Sequence, residues 1–431
     1  MISPCSAPNS GKPKLLVILG AGSSIPCRMP SVDNINDQMK DWSREWKPET
    51  ESPGGAGAGV FNDLWDSVER YYLVSGVNYE RVLGEMTALA SWLAPSPWGD
   101  PLREIVKDGA LLSAFQKLDR GLIMEEQSFL LKKLAEYMRE RCNRPLDKNS
   151  PPFANYREIF SRLREQFDLG IYNLNYDNVA RSAWHEAFNG FNDYGVFDPP
   201  GVSLRREWEF IYHLHGSVHY CLNTLQYSGT LRKPPLIWKD DLINDSFVDQ
   251  YIRSPDLASK FLPIPLTTLI AGGFKLDQLL ADPHQTFYST LVRHVHEADA
   301  ILIAGYGFGD LHVNSALRNR FDCSDYKVPY PLVVVLTKSC PDTREMARRQ
   351  SGDFWAFQLT HTLDIPFANT SDIRVAEKQP LTVAPFIENQ EFEVPSYGKK
   401  ENHIVNRVGI WHGGFIEVLD SFDKMAERLR R

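Results

Sequence analysis

Four short apolar runs, each ending in a glycine-rich or polar turn, constrain this chain more than any other feature. Lys14 to Leu19 runs into Gly20-Ala21-Gly22. Leu169 to Leu174 runs into Asn175-Tyr176-Asp177, and Phe210 to Leu214 into His215-Gly216. Ala300 to Ala304 runs into Gly305-Tyr306-Gly307-Phe308-Gly309-Asp310. Apolar runs this short suit strands buried on both faces, as parallel strands are. Pro265 to Ile270 and Leu332 to Leu336 are two more candidate strands, and the helical stretch HQTFYSTLVRHVHEA lies between them. Such alternation argues for a parallel α/β sheet with helices on both faces. Ligands of open α/β sheets bind outside the carboxyl ends of the strands, where all four turns fall.

The remaining sequence organises around that sheet. Residues 1–13 read as a flexible lead-in, and residues 51–59 as a loop. From about Phe61 to Cys142 the pattern is helical, with Val82, Met86, Leu89 and Leu93 on one stripe and Leu130, Leu131, Leu134 and Met138 on another. This block reads as a helical insertion. Beyond about residue 352 the alternation fades into mixed short strands. A final amphipathic helix then carries Phe415, Val418, Leu419, Phe422 and Met425 on its apolar stripe.

Charge and cysteine content exclude several classes. A net charge of −8 over 431 residues gives no global attraction to nucleic acid. No apolar run reaches the ~18–20 residues needed to cross a bilayer. Residues Met1 to Lys14 lack the apolar stretch of a signal peptide, so a cytoplasmic location is expected. Cys5, Cys27, Cys142, Cys221, Cys323 and Cys340 include no C-x-x-C pair, so a four-thiolate zinc ribbon is not expected.

The turns carry the chemistry. Glycines at 20 and 22 let a backbone approach a pyrophosphate, and a following helix would aim its N–H groups there. The third glycine of G-x-G-x-x-G is absent, since Ile25 stands in its place. A tight structural turn explains an isolated match equally well. Asn175 and Asp177 project to the same side of an extended turn and suit a carboxamide-bearing ligand. An Asx-turn capping the next helix also accounts for Asp177. His215 can serve as a general base near neutral pH. His213, His215 and His219 complete no standard metal-ligand motif, so no metal is expected. The Gly305–Gly309 turn can line the ribose or adenine side of a dinucleotide pocket, with Asp310 either in that lining or as an N-cap.

The order G-A-G-x-S, N-x-D, H-G and G-x-G-F-x-D-x-H-x-N resembles the Sir2-like family, and within it the bacterial anti-phage NAD hydrolases. The resemblance covers about residues 14–340. It implies an α/β fold, a Rossmann-like parallel sheet of the Sir2 type with a helical insertion and a small C-terminal α+β extension. The boundaries expected are residues 1–350 for the NAD-binding domain, with the insertion at about 60–145, and 351–431 for an oligomerisation or partner arm. It implies NAD as the substrate, cleaved to ADP-ribose and nicotinamide. Asn175 and His215 would be catalytic. Gly20, Ala21, Gly22, Ser24, Asp177, Gly305, Gly307, Phe308 and Asp310 would bind the cofactor. The family's four-cysteine zinc module has no counterpart here, which favours hydrolysis over deacylation and leads us to expect no zinc. A homo-oligomer or a companion HerA-type ATPase is the partner implied. Deacylation, ADP-ribosyl transfer and non-catalytic NAD sensing stay open as alternatives.

Overall fold

The structure, a computed structural model, describes residues 11–48, 59–71, 77–93, 120–143, 150–223, 236–251, 266–272, 279, 282–322, 331–338, 355–363, 408–411 and 413–430. The lead-in up to residue 10, most of the 51–59 loop, Cys5, Cys323 and Cys340 lie outside them. The chain divides into two compact units. One comprises Met1–Met29, Arg144–His215 and Asp282–Arg431, and the other Pro30–Asn143 and Gly216–Ala281.

The first unit is built on a six-stranded parallel sheet. Its strands are β1 (Lys14–Leu19), β2 (Asp168–Asn173), β3 (Glu209–His213), β4 (Ala300–Ala304), β5 (Leu332–Leu336) and β6 (Val408–Trp411). They lie in the order β6-β5-β4-β1-β2-β3, which is the Rossmann order 3-2-1-4-5-6. The expected α/β class and Rossmann-like parallel sheet are therefore what the chain forms. Leu15 to Leu19 and Ala300 to Ala304 are completely buried. Continuous aliphatic runs make the central strands because both faces are covered. The helices are α1 (Pro151–Gln166), α2 (Val179–Ala183), α3 (Pro199–Ser203), α4 (His284–Glu297), α5 (Leu311–Asp322), α6 (Trp355–Thr362) and α7 (Phe422–Arg428).

Helix α4 covers β2 and β3 through rings. Phe287 stacks on Tyr212 at 4.7 Å, Tyr212 on Phe210 at 4.4 Å, and Phe210 on the His294 imidazole at 4.6 Å. The sheet runs past residue 350, because β6 pairs in register with β5, Trp411 facing Leu336. Phe415, in the turn before α7, packs edge-on against Tyr156 of α1 at 4.9 Å.

One expected strand is not in this sheet. Within Pro265 to Ile270, Leu266–Thr267 pairs antiparallel with Gln250–Tyr251, in the second unit. Apolar content marks a segment for burial without naming its partner strand.

Among the described residues, the second unit holds the helices Val32–Glu45, Val60–Tyr71, Tyr79–Trp92 and Arg120–Asn143. Most positions of the stripes read from the sequence lie in its core, Val82, Met86, Leu130 and Leu134 being fully buried, whereas Leu89 and Leu93 are half-buried. Glu126 ties three of the helices, accepting from Ser43 Oγ at 2.7 Å and from the Val60 N–H at 2.6 Å. Among the described residues, no helix is long and apolar enough to cross a membrane.

Candidate active site at the carboxyl edge of the sheet

Strands β4, β1, β2 and β3 end level with one another. Leu19 pairs with both Asn173 and Ala304, and Asn173 pairs with His213. The four turns singled out by the sequence therefore leave one edge. The switch point of the topology lies between β1 and β4, where the strand order reverses.

At that point two glycine turns pack backbone on backbone. Gly20 N–H donates to the Ala304 carbonyl at 2.9 Å and Gly22 N–H to that of Gly305 at 3.0 Å. A Cβ on Gly20 would stand 2.6 Å from the Gly305 oxygen. One on Gly305, at φ +61°, would stand 2.2 Å from Ser23 N. These glycines are required by the contact between the turns, whatever the ligand. The outer side is different. Ala21 and Gly22 are exposed, and a Cβ on Gly307 or Gly309 would meet nothing within 4 Å. Bare backbone of this kind permits a phosphate-bearing ligand to approach closely.

The helix expected behind the glycine turn does not form. Two single 3-10 turns, Ala21–Ser23 and Ile25–Cys27, follow instead, the second with a proline in its first turn and closed by Arg28 at φ 66°. The N–H groups of Ser23 and Ser24 donate to the Gly20 and Ala21 carbonyls at 2.9 and 3.1 Å. Those two donors are spent inside the turn, so no α-helix N-terminus points at a ligand here.

Asn175 is buried beneath this turn. Its Nδ2 donates to the Gly20 carbonyl at 3.0 Å and to Ser24 Oγ at 3.0 Å, with Ser23 Oγ at 3.3 Å. Asn175 thus fixes the shape of the glycine turn from one strand away. Its own N–H donates to Asn173 Oδ1 at 3.1 Å, and its carbonyl stands 3.2 Å from His213 Nδ1. Asp177 accepts from the Val179 N–H at 3.0 Å, which caps α2, and also bonds Ser24. Burial pushes its carboxyl up to about 6, against the lowering effect of those two bonds. Cys27 is pushed up to about 12 by burial and then by the Asp177 charge, so it stays a thiol.

His215, two residues past β3, is buried. Its Nε2 lies 2.9 Å from Nε2 of His312, in the first turn of α5, and 3.9 Å from Asp310 Oδ1. This contact joins the ends of β3 and β4, which stand three places apart in the sheet. The loop after β4 is shaped to reach across. The Tyr306 hydroxyl accepts from the Asp310 N–H at 3.1 Å and lies 2.9 Å from Asn314 Oδ1, and Asn314 Nδ2 donates to the Phe308 carbonyl at 2.8 Å. Phe308 sits at φ 55°, fully buried, its ring 4.9 Å from that of Tyr306. His215, Asp310 and His312 are also, among the described residues, the one group with donors close enough to hold a metal ion. His219 is not part of it; its Nδ1 stands 2.7 Å from the Lys239 carbonyl, in the second unit.

Residues 170–356 match the SIR2-like domain family. The SIR2-like match covers fewer than half of the 431 residues. It includes Asn175, Asp177, His215 and the whole Gly305–Asn314 turn, and it leaves Gly20–Ser24 outside. Among solved structures, a Sir2 homologue mutant complexed with 2′-O-acetyl ADP ribose is 13% identical, covering 83% of this chain and 96% of that one, with a TM-score of 0.31. A second Sir2 homologue mutant, complexed with ADP ribose, is 13% identical at the same coverage, with a TM-score of 0.30. No curated protein matches the chain.

Along this carboxyl edge, the residues named from the sequence separate by position. Ala21, Gly307 and Gly309 present open backbone. Gly20, Gly22, Gly305 and Phe308 hold the turns together, and Ser24, Asn175 and Asp177 form the polar layer beneath them. His312 received no role from the sequence, although the Asp310-x-His312 spacing at a helix start was the available signal. Its partner lies 97 residues away, and only the folded sheet brings the two together.

Proposed function

We propose that this chain binds NAD along the carboxyl edge of β4, β1, β2 and β3 and hydrolyses its nicotinamide–ribose bond. The observation that carries the reading is His215: a buried imidazole hydrogen-bonded to a second imidazole at 2.9 Å, at the edge where ligands of such sheets bind. The SIR2-like match over Asn175, Asp177, His215 and the Gly305–Asn314 turn supports the choice of NAD.

Water attacks ribose C1′ as the C1′–N bond breaks, through an oxocarbenium-like transition state. The bonding pair leaves on the nicotinamide nitrogen, so the leaving group departs neutral. The water proton passes to His215, and the products are ADP-ribose and nicotinamide. Asn175, whose amide nitrogen is engaged by the glycine turn, offers its carbonyl oxygen to water or a ribose hydroxyl. Ala21, Gly22, Gly307 and Gly309 admit the phosphates, with Gly20, Ser24, Gly305, Phe308 and Asp310 shaping that surface. Asp177 is assigned to the carboxamide side. No step is routed through a metal ion. The same reading places the activity in anti-phage defence by NAD depletion, in a homo-oligomer or with a HerA-type ATPase.

The test is incubation of purified protein with NAD, alone and with candidate partners, and analysis of the products. Free ADP-ribose with nicotinamide supports hydrolysis, with Asn175→Ala and His215→Ala each lowering turnover by ~10²–10⁴-fold. Acyl-ADP-ribose formed from an acylated peptide marks a transferase instead. Binding without nicotinamide release marks a sensor.

A further inference from the structure

We infer that Tyr156 is a positioning residue: it braces the Gly20–Ser24 turn from beneath, and Phe415 of the C-terminal segment holds it in place. The inference rests on the NAD reading for its effect on affinity. The brace itself is a matter of packing within the first unit.

Helix α1 touches two parts of the chain that are far apart in sequence. It packs against the Ile25–Cys27 turn, which continues the glycine turn, and against α2, which Asp177 caps. It also packs against α7 and the Glu417–Ser421 turn before it. Arg162 fastens that second contact, bonding Asp423 at 2.7 Å and lying 4.1 Å from the centre of the Phe422 ring. Tyr156 belongs to both contacts. Its ring meets Phe415 edge-on at 4.9 Å and Phe160 at 5.1 Å, and those two rings stand 6.4 Å apart, so three buried aromatics close on one another. Its hydroxyl is buried beside the hydroxyls of Ser23 and Ser24, with the Asp177 carboxyl and the Cys27 thiol also near.

The serine layer has room for the donor a phenol supplies. Ser23 Oγ gives its proton to the Gly20 carbonyl at 2.7 Å, and Ser24 gives its proton to Asp177. Both oxygens accept from Asn175 Nδ2, at 3.3 and 3.0 Å. A hydroxyl oxygen has two lone pairs, so each serine can still accept once more. Burial keeps Tyr156 protonated, and its hydroxyl makes no well-aligned hydrogen bond among the described residues. A buried donor left without an acceptor is costly, so the serine turn is drawn toward α1. Close-packed rings fix where the hydroxyl stands. Ser23 and Ser24 pass that constraint to the backbone of Ala21 and Gly22, which faces outward.

The test is hydrogen exchange, read by mass spectrometry on the full-length chain. Tyr156→Phe keeps the ring and removes the donor. Amides of the Gly20–Ser24 turn should exchange ~2–10-fold faster, the worth of one net hydrogen bond, with those of β1 and β4 unchanged. NAD affinity should fall by a similar factor, read as a rise in KM with kcat little altered. Unchanged exchange in the turn, or exchange raised equally across the sheet, would make Tyr156 a core residue only and overturn the inference. Phe415→Ala should loosen the same turn, and the double variant should loosen it no further than the stronger single change. Effects that multiply would show that Phe415 does not act through Tyr156. Should Phe415→Ala not fold, Phe415→Leu takes its place in the cycle. If the exchange pattern holds and the wild-type protein does not bind NAD, the NAD reading fails while the brace stands.

Discussion

The N–H of Gly22 donates to the carbonyl of Gly305 at 3.0 Å, joining the turn after β1 to the turn after β4 across the switch point of the sheet. Neither residue can carry a side chain without separating the turns. A Cβ on Gly22 would come within 2.9 Å of Gly305 Cα, and one on Gly305 within 2.2 Å of Ser23 N. A glycine pattern that reads as a phosphate loop is thus, in part, a record of two backbones touching.

This contact separates glycines that serve the fold from glycines that face outward. Gly305→Ala combines a left-handed φ with a backbone clash and should cost about 1–3 kcal/mol or more, read as a drop in Tm. Gly307→Ala, placed where a Cβ meets nothing, should leave Tm within the range of a surface change and weaken NAD binding. Equal Tm losses in both variants would show that the Gly307 side of the turn is closed.

Asp177 should make the protein less stable as pH rises. Its carboxyl, at about 6 in the fold, sits above the 3.8 of the unfolded chain, so the native state holds its proton more tightly. The favourable contribution is complete below the unfolded value and is lost as pH rises through about 6. At neutral pH the burial penalty is about 3 kcal/mol at most, taking 1.36 kcal/mol per unit. Asp177→Asn keeps an acceptor for the Val179 N–H and removes the charge. Its Tm should exceed wild type at pH 8 and approach it at pH 4, and a lower Tm at pH 8 would contradict the burial argument. NAD turnover in the same variant tests the carboxamide assignment separately.

His294 acts in the opposite direction. Burial first, then the Arg293 and Lys14 charges, lowers it to about 3, so the native state holds it neutral while the unfolded chain protonates near 6.5. Stability is full above 6.5 and falls as pH drops toward 3, by up to about 5 kcal/mol. His294→Gln should flatten the acid limb of a Tm–pH profile. It should also lower Tm at pH 7, since the Tyr172 hydroxyl, now 3.0 Å from His294 Nδ1, loses that ring. An unchanged acid limb would assign acid sensitivity to other groups.

In the second unit, the buried pair Arg139–Asp249 should be costly to break on one side. Arg139 also donates to the Val218 carbonyl at 3.1 Å, and Thr268 Oγ1 donates to Asp249 at 2.9 Å. Arg139→Ala leaves a buried carboxylate without its cation, a loss of about 3–5 kcal/mol. Limited proteolysis should then cut within Pro30–Asn143 or Gly216–Ala281 first. The double variant Arg139→Met/Asp249→Leu should recover most of the resistance. Equal lability of single and double variants would show that the charges are not what matters.

The parallel sheet was legible because its signal is local. Runs such as Leu15–Leu19 and Ala300–Ala304 must be buried on both faces, and the turn that ends each is written beside it. The candidate site residues were legible as far as their positions on the carboxyl edge, since each lies within a few residues of a strand end. Which atoms they touch was not. The amide of Asn175 reads as a ligand group, and in the fold it holds Gly20 and Ser24, 155 and 151 residues away.

By itself, then, the sequence determined five of the sheet's strands, the parallel class and the edge on which the candidate residues lie, because hydrophobic periodicity and glycine placement act over a few residues. Only the tertiary structure decided the rest. Leu266–Thr267 pairs outside the main sheet, and Gly20 and Gly22 serve a backbone contact. Two 3-10 turns stand where a helix was expected, and His312 meets His215. Each depends on hydrogen bonds or close contacts between groups distant along the chain, whose geometry exists only once the strands have their order.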